Sequence, residues 1–255
     1  MLVPRPLVES LAWIPFFSGL DAAALEQVAA GTRTRRFRRG EVIFHAGDAG
    51  DGLFVIVSGE VKIALPSETG DEAIIATLRA GDVFGELALL DGAPRSATAT
   101  ALVATETVVL PRDRFHALIA TEPAVRDALL ASLAAELRRI TTHVEELHFF
   151  DITGRLASRL VRLAEESQAA AIAAAVATGR GSRVNAVADP RRSHGPAPIR
   201  LRSTLTQAEL ASMVGCTRQS VNKLLGQFAD SGLVRLDREG VTVTDLAGLV
   251  AAARR

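Results

Sequence analysis

Between residues 33 and 111 the chain alternates short runs rich in β-branched residues with turns that contain glycine. Many short strands at regular spacing, separated by such turns, are typical of an antiparallel barrel or sandwich. A helical pattern over residues 9–30 precedes these strands, and another begins after Pro111. The predicted strands are EVIFH, LFVIVSG, VKIAL, AIIATL, SATATAL and ETVVL.

A long helix is predicted over residues 121–150, and it has an apolar stripe at heptad spacing. Such a stripe, with charged residues on both sides, is typical of a two-stranded coiled coil. We therefore expect a homodimer formed through this helix, and the alternative is a helix that packs on its own barrel. The stripe consists of Leu130, Leu133, Leu137, Ile140, Val144 and Leu147.

The two parts of the chain differ in charge, although the formal net charge of the whole is zero. Residues 1–150 contain 14 Lys and Arg against 20 Asp and Glu, and residues 151–255 contain 15 against 9. The resulting charges of −6 and +6 predict a polyanionic partner for the second part only. We find no secretory signal and no uncharged apolar run of about 18 residues, so we expect a cytoplasmic protein without a membrane partner.

A second helix is predicted over residues 154–166, and an unusual stretch over residues 167–200 follows it. The first half of that stretch is rich in alanine and could extend the helix. The remainder, residues 179–200, has no period and is expected to be a flexible loop or linker. The alternative is a segment that contacts phosphates through Arg183, Arg191 and Arg192.

The stretch TLTQAELASMVGCTRQSVNKLLGQFADSGLVRL, which begins at Thr204, predicts two short helices joined by a tight turn. Thr206 and Glu209 have the spacing of a capping box at the start of the first helix. Gly215 supplies the turn, and Thr217 caps the second helix. The following LVRLDREGVTVT predicts a small hairpin, or wing.

Two short helices with this turn form a DNA-binding helix-turn-helix unit, whose second helix enters the major groove. Arg218 can bond to guanine through two donors, and Gln219 can bond to adenine in the same manner. Lys223, one turn further on, can reach another guanine or a phosphate. The predicted DNA-binding residues are Thr217, Arg218, Gln219, Ser220, Asn222 and Lys223.

Four landmarks identify a family that this chain resembles. They are the glycine-punctuated strands and the segments FGELALLDGAPRSATATA, FFDITGRLASRL and VGCTRQSVNKLL. The chain resembles the Crp-Fnr family of bacterial transcription regulators, named after the cyclic-AMP receptor protein and the fumarate–nitrate regulator. The resemblance implies an α+β fold with a jelly-roll-like antiparallel β-roll in residues 1–120. A dimerisation helix in 121–150 and a winged helix-turn-helix domain in 151–255 follow, with 167–200 as an insertion.

The resemblance also implies a cyclic nucleotide site. The matched positions are Gly85, Glu86, Leu87, Arg95 and Ser96. Arg95 would hold the phosphate with its forked guanidinium, and Ser96 would add a hydroxyl. Gly85 and Glu86 would open a short helix whose free N–H groups favour an anion, and Glu86 would accept from the ribose 2′-hydroxyl.

The base contact departs from the family pattern. The family reads adenine with a Thr-Ser pair on the long helix, across the dimer. The matched positions here are Ile140 and Thr141, and Ile140 cannot form a hydrogen bond. We therefore expect Thr141, or Thr142 in its place, to contact the base. Cyclic AMP is the preferred effector, and Ser96 is also compatible with cyclic GMP.

Other functions are weighed against the same residues. Cys216 is the single cysteine, which excludes an iron–sulfur cluster held by several cysteines of one chain. We expect no metal, no haem and no enzymatic activity, because no nucleophile–base pair or metal-binding cluster is present in the sequence. The alternative function is a DNA-binding regulator of the same fold that needs no nucleotide or responds to another effector. Its β-roll would then be a scaffold for dimerisation and for contact with RNA polymerase, the second partner that the resemblance implies.

Overall fold

The computed structural model describes residues 5–67, 72–177, 198–201, 205–237 and 240–253. These form two compact units, divided between Thr141 and Thr142. Among the helices of the described ranges, none is both long enough and apolar enough to cross a membrane.

The first unit contains the predicted strands, arranged as two antiparallel sheets in its described part. One sheet has the order β1-β8-β3-β6, and the other has the order β2-β7-β4-β5. The strands are β1 (Arg33–Phe37), β2 (Val42–Phe44), β3 (Gly52–Ser58), β4 (Glu60–Pro66), β5 (Glu72–Arg79), β6 (Val83–Phe84), β7 (Thr98–Ala101) and β8 (Thr105–Pro111).

A core fills the space between these sheets, since alternate residues of each strand point to opposite faces. Its members come from both sheets, and three of its phenylalanines contact one another. The Phe54 and Phe84 rings stack at 5.2 Å between centroids, and Phe44 lies 5.5 Å from Phe54. The buried members are Phe37, Ile43, Phe54, Ile56, Val61, Phe84, Ala99 and Ala101.

Helices cover the other face of the β1-β8-β3-β6 sheet. Leu53, Val55 and Leu110 of this sheet belong to the same buried cluster as Phe115 and Val125 of the helices. The helices of the first unit and its boundary are α1 (Arg5–Ala12), α2 (Ala22–Gly31), α3 (Leu87–Leu90), α4 (Arg112–Thr121) and α5 (Pro123–Phe149), with a 3₁₀ turn at Pro15–Phe17.

Helix α5 is the predicted long helix, and its faces differ in burial. Val125 and Leu129, which lie outside the heptad stripe, are buried in the core, so the first part of the helix packs on its own β-roll. Five of the six stripe residues are exposed, with Leu130 at 58% and Leu137 at 66% of full exposure, whereas Leu133 is half-buried and packs against this core. An apolar stripe left in solvent on a helix of 27 residues is typical of an unpaired coiled-coil seam.

The second unit contains a helical core with a small antiparallel sheet of order β10-β11-β9. Leu156, Leu160, Val221 and Leu225 are fully or almost fully buried in its core. Its elements after the end of α5 are α6 (Ile152–Ala177), β9 (Ile199–Arg200), α7 (Gln207–Val214), α8 (Arg218–Asp230), β10 (Val234–Asp237), β11 (Gly240–Val243) and α9 (Leu246–Ala253).

The structure confirms the predicted fold class: a β-roll, a long helix and a C-terminal winged helix-turn-helix. It shows that the alanine-rich first half of the stretch 167–200 extends the preceding helix, as the sequence analysis allowed. Helix α6 continues to Ala177, because its alanine-rich sequence has high helix propensity. At the other end of the stretch, Ile199 and Arg200 pair with Val243 and Thr242 as the third strand of the wing sheet. Residues 178–197, with Arg183, Arg191 and Arg192, lie outside the described residues, and the domain boundaries at 120 and 150 remain predictions.

Candidate functional site

A cavity of about 880 Å³ lies in the first unit, between the β-roll and helix α5. Its wall is mostly apolar, with side chains such as Phe44, Ile63, Leu78 and Phe84. A few polar groups converge on it, which is the usual composition of a small-molecule site. The polar lining residues are Thr77, Asp82, Glu86, Arg95, Ser96, Ser132, Glu136 and Arg139.

The segment that carries Gly85 and Glu86 makes a sharp turn where β6 ends at Phe84. Gly85 has a φ of 83°, a left-handed conformation that favours glycine. A Cβ atom here would also overlap Nη1 of Arg95. Helix α3 then begins at Leu87 with Glu86 as its N-cap, and it consists of a single turn. The predicted short helix is therefore present, but one turn provides only a small helix dipole.

Arg95 is 3% exposed, and its guanidinium is held by oxygens of two other segments. Nη1 donates to the Gly85 carbonyl oxygen at 2.6 Å, and Nη2 donates to the Gly52 carbonyl oxygen at 2.8 Å. Nη2 also contacts a carboxylate oxygen of Asp51 at 3.2 Å. The guanidinium lies over the Phe44 ring, 4.3 Å from its centroid. A rigid fork is thus positioned in the cavity wall by interactions at its edges and on its face.

One nitrogen of this fork has no partner among the described residues. It is Nε of Arg95, which is buried. A buried donor without a partner costs free energy unless something pairs with it. Arg95, which lines the cavity, is therefore a buried, positively charged side chain with one unsatisfied donor.

Burial changes the ionisation of the two charged groups at this end of the cavity. Desolvation lowers the pKa of Arg95, and the neighbouring carboxylates of Asp51 and Glu86 oppose that effect. Desolvation also raises the pKa of Glu86, and the negative charge of Glu136 adds to the rise. A backbone hydrogen bond and the charge of Arg95 act in the opposite direction on Glu86. Glu86 therefore holds its proton more tightly than an ordinary glutamate does.

Helix α5 contributes a polar row to the cavity that the sequence interpretation missed. Ser132, Glu136 and Arg139 line the cavity at steps of four and three residues, so they share one face of the helix. Arg139 donates from Nε to Glu136 at 2.8 Å, and its Nη1 donates to the carbonyl oxygen of Ile75 in β5. The helical spacing was visible in the sequence, but which face of α5 meets the β-roll was not.

The predicted ligand residues separate into two groups. Gly85, Glu86, Leu87, Arg95 and Ser96 all line this cavity, and their role in holding a nucleotide remains a prediction. Thr141 is not among the residues that line this cavity in the described part of the chain. It is exposed, and its Oγ1 donates to the carbonyl oxygen of Leu137 one turn earlier. Thr142 is exposed as well, whereas Ile140 does line the cavity.

The helix-turn-helix forms as its caps predict. Thr206 and Glu209 make the reciprocal capping box of α7, and Gly215 ends that helix with a φ of 71°. Thr217 caps α8, since its Oγ1 accepts from the backbone N–H of Ser220 at 3.1 Å. The Thr217 and Ser220 hydroxyls lie 3.0 Å apart, so these two side chains stabilise the start of α8.

The first turns of α8 present polar side chains to solvent. Val221, Leu225 and Phe228 form the buried face of the helix. Arg218, Gln219, Asn222 and Lys223 are exposed on the other side. This arrangement is what a helix needs to reach base edges in a major groove.

Two models of protein families match the chain, one for each unit. The cyclic nucleotide-binding domain matches residues 34–122, and the Crp-like helix-turn-helix domain matches residues 154–252. A "CRP-like cAMP-activated global transcriptional regulator" of Mycobacterium tuberculosis is 32% identical over 96% of this chain and 99% of its own length. The chain belongs to the Crp-Fnr family of regulators.

Further comparisons support membership in the Crp-Fnr family. The cyclic AMP receptor protein of Thermus thermophilus is 30% identical over 91% of this chain and 94% of its own length. Among solved structures, a CRP/FNR transcriptional regulator of the same organism aligns with a TM-score of 0.65 at 25% identity, covering 88% of this chain and 99% of that one. The c-di-GMP responsive regulator CLP of Xanthomonas campestris aligns with a TM-score of 0.68 over 88% of this chain and 99% of its own. Its identity of 22% shows the fold alone.

Membership in the Crp-Fnr family establishes the general function. The chain is a DNA-binding transcription regulator with a cyclic nucleotide-binding domain, and it belongs to a family that is not enzymatic. Members of this family bind DNA and form dimers.

Proposed function

We propose that this regulator is a homodimer controlled by a cyclic nucleotide that binds in the cavity of the first unit. Cyclic AMP is the first candidate, and cyclic GMP is the second. The observation that carries the proposal is the buried Arg95 guanidinium in the cavity wall, with Gly85, Glu86 and Ser96 beside it. The names of relatives from Mycobacterium tuberculosis and Thermus thermophilus, which mention cAMP, favour the first candidate.

The phosphate would pair with Arg95. A guanidinium has five N–H donors, and two of its nitrogens already donate to Gly85, Gly52 and Asp51. Nε is without a partner among the described residues. A phosphate that accepts from Nε and from one further N–H would replace the contact with Asp51, which at 3.2 Å is longer than the two carbonyl contacts. The hydroxyl of Ser96, exposed in the same wall, would complete the phosphate contacts.

The ribose and base would extend along the cavity towards helix α5. Glu86 would accept from the ribose 2′-hydroxyl, and Leu87 would pack beside it. We keep Thr141 and Thr142 as candidate base contacts from the partner copy, because both are exposed on the helix that carries the seam. The apolar cavity wall would receive the flat face of the base.

The dimer would form along the exposed stripe of α5. Leu130 and Leu137 leave most of their surface in solvent, which is costly for a free helix and normal for a coiled-coil seam. A symmetric dimer would place the two α8 helices on successive major grooves of a palindromic site, about 34 Å apart. Arg218, Gln219, Asn222 and Lys223 would contact the bases and phosphates, whereas Thr217 and Ser220 would hold the start of α8.

The effector would act by favouring one arrangement of the dimer helices, since a ligand shifts an equilibrium only through its different affinities for the two states. We propose RNA polymerase as the second partner, after DNA. Because DNA in bacteria lies in the cytoplasm, we place the regulator there, without a metal, haem or iron–sulfur cofactor.

The test is calorimetric titration of cyclic AMP and of cyclic GMP into the full-length chain and into Arg95→Lys and Arg95→Gln. Two charge-assisted contacts to phosphate, each worth about 1.5–3 kcal/mol, predict a loss of affinity of at least tenfold in Arg95→Lys and more in Arg95→Gln. Arg36→Gln is the control, because Arg36 is an exposed arginine that pairs with Glu106 on the surface.

Two results would contradict the proposal. Absence of heat with both nucleotides would favour the regulator that needs no effector. Unchanged affinity in Arg95→Gln would mean that the phosphate binds elsewhere. Circular dichroism of each variant shows whether the β-roll has kept its fold, since Arg95 also holds the Gly85 and Gly52 carbonyls.

A further inference from the structure

The positive charge of this chain comes almost entirely from arginine. Of the 29 Lys and Arg residues, two are lysines, Lys62 and Lys223. A guanidinium keeps its charge in proteins, whereas a lysine amine can lose its proton and act as a nucleophile. Activated acyl groups therefore modify lysine rather than arginine. In this chain such a modification has two side-chain amines to choose between.

The first of these amines is protected by its surroundings. Lys62 lies on β4, and its side chain is only 13% exposed. Its Nζ donates to a carboxylate oxygen of Glu72 on β5. Attack by this amine would require the ion pair to break and the side chain to leave its packed position.

The second amine is accessible. Lys223 is exposed in the second turn of α8, and it forms no ion pair with the described residues. The residues three and four positions away share its face of the helix, and none of them carries a charge. They are Gln219, Ser220, Gly226 and Gln227. No carboxylate therefore holds the amine from a neighbouring turn of α8.

The charge of the helix-turn-helix favours small anions around Lys223. The sequence has no Asp or Glu between Glu209 and Asp230, and residues 151–255 carry a net charge of +6. Arg218 is also exposed on α8. A surface with this charge suits DNA phosphates, and it also raises the local concentration of a small phosphate compound. An acyl phosphate is such an anion, and it carries a reactive acyl group.

We propose that Lys223 is a modification site at which an acyl phosphate acylates the side-chain amine and thereby weakens DNA binding. The unprotonated amine attacks the carbonyl carbon of the acyl group and forms a C–N bond, while the C–O bond to phosphate breaks. The phosphate leaves and takes up the proton that the nitrogen loses. The product is an uncharged amide. The inference rests on the proposed function, because it uses the proposed DNA contact of Lys223.

Acylation would remove the charge on which that contact depends. The ammonium group of Lys223 donates to a guanine or to a phosphate in the proposed complex, whereas an amide is neutral and has a single N–H. A charge-assisted hydrogen bond is stronger than a neutral one. The acyl group also adds atoms at the tip of a side chain that points to the groove. Both changes lower DNA affinity.

The experiment treats the full chain with acetyl phosphate. The proteins are the wild type, Lys223→Arg and the matched control Lys62→Arg, which makes the same exchange in the other unit. Peptide mass spectrometry measures the rate of acetylation at each lysine, separately from the amino terminus. Fluorescence anisotropy measures DNA affinity before and after treatment, with cyclic AMP present. The duplex is one that the wild type selects from a randomised palindromic library.

We expect Lys223 to be acetylated at least about tenfold faster than Lys62, because Lys62 reacts only after a local opening. Treatment should lower the DNA affinity of the wild type and of Lys62→Arg by about 10- to 100-fold. It should change that of Lys223→Arg by less than about twofold, since a guanidinium is not acylated. A bound duplex should slow acetylation at Lys223 and leave the rate at Lys62 unchanged.

Several results would overturn the inference. Absence of acetylation at Lys223, or equal rates at the two lysines, would show that Lys223 is not a selective site. A loss of DNA affinity in Lys223→Arg as large as in the wild type would assign the effect to another group.

Untreated Lys223→Gln separates this inference from the proposed function. If it binds the duplex as tightly as the wild type, the proposed DNA contact of Lys223 is wrong and the inference fails with it. If Lys223→Gln binds more weakly but acetyl phosphate leaves Lys223 unmodified, the DNA contact stands and the inference fails alone.

Discussion

Nη1 of Arg95 donates to the carbonyl oxygen of Gly85 at 2.6 Å, although ten residues separate the two along the chain. This bond closes one end of the cavity: it joins the turn after β6 to the segment before β7. It also shows that the conformation of Arg95 depends on a glycine at position 85. The side chain of Arg95 fills the space beside Gly85, and the missing side chain of Gly85 allows Arg95 to lie there.

The first prediction uses this relationship with Gly85→Ala. The substitution places a Cβ atom on a residue at positive φ and against Nη1 of Arg95. The backbone conformation alone costs about 1–2 kcal/mol, and the displacement of Arg95 should lower effector affinity by at least tenfold, since about 1.4 kcal/mol corresponds to tenfold. Urea unfolding and calorimetric titration measure the two effects.

Gly92→Ala is the matched control for this prediction. Gly92 has a φ of 75°, and apart from its own backbone and its two chain neighbours no described atom lies within 4 Å of the position of its Cβ. The control should therefore show the backbone cost without the loss of effector affinity. Equal affinities in the two alanine variants would mean that Arg95 does not depend on the space beside Gly85.

The second prediction concerns Glu86 and pH. Since burial raises the pKa of Glu86 in the folded state, the folded chain holds this proton more tightly than the unfolded chain does. The contribution of this proton to stability is complete below the pKa that Glu86 has in the unfolded chain. It is lost as pH rises through the pKa that Glu86 has in the folded chain. Relative to Glu86→Gln, the unfolding free energy of the wild type should therefore fall as pH increases upward from about 4.

Urea unfolding at intervals from about pH 4 to 8 measures this difference. Glu9→Gln is the control, because Glu9 is exposed on α1, and its difference from the wild type should not follow the same curve. A wild type that gains stability over Glu86→Gln as pH rises would reverse the sign and contradict a raised pKa.

The predictions from sequence succeeded where the signals are local. Thr206 and Glu209 lie three residues apart, and the capping box that they predict forms within one helical turn. Gly215 and Thr217 likewise act on their immediate neighbours. The resemblance to the Crp-Fnr family supplied the long-range prediction, since it alone indicated that Gly85 and Arg95 belong to one site.

The features that the sequence did not reveal depend on contacts between distant segments. Arg139 faces the cavity because it reaches the Ile75 carbonyl, 64 residues earlier in the chain. Helix periodicity identifies the faces of α5 but not which one packs on the β-roll. Ile199 and Arg200 form a strand only because β11 is beside them, and two residues carry too little pattern to predict a strand.

The third prediction concerns the seam of α5. Leu137→Glu should shift the chain from dimer to monomer, with a dimer constant at least tenfold weaker, because symmetry would bring the two new carboxylates close together in a coiled coil. Analytical ultracentrifugation measures the assembly state. Trp13→Glu is the control, since Trp13 is a large apolar side chain that is 88% exposed and lies outside the seam. A dimer that survives Leu137→Glu and dissociates in Trp13→Glu would place the interface elsewhere.

The last prediction concerns the bases that α8 reads. Gln219 is exposed in the first turn of α8, where an amide bonds to adenine through a donor and an acceptor. In Gln219→Glu the side chain only accepts, and it should prefer the amino group of cytosine. We expect one altered base pair in each half-site, with about 1–3 kcal/mol of discrimination against the original pair.

Parallel selections from one randomised palindromic library, with the wild type and with Gln219→Glu, measure this change. Gln227→Glu is the control, because Gln227 is exposed on the same helix but lies about 12 Å further along its axis. The control makes the same chemical change away from the end of α8 that enters the groove. It should keep the wild-type half-site with a uniform loss of affinity from the added negative charge. If Gln219→Glu also kept the wild-type half-site, the first turn of α8 would not be the part that reads sequence.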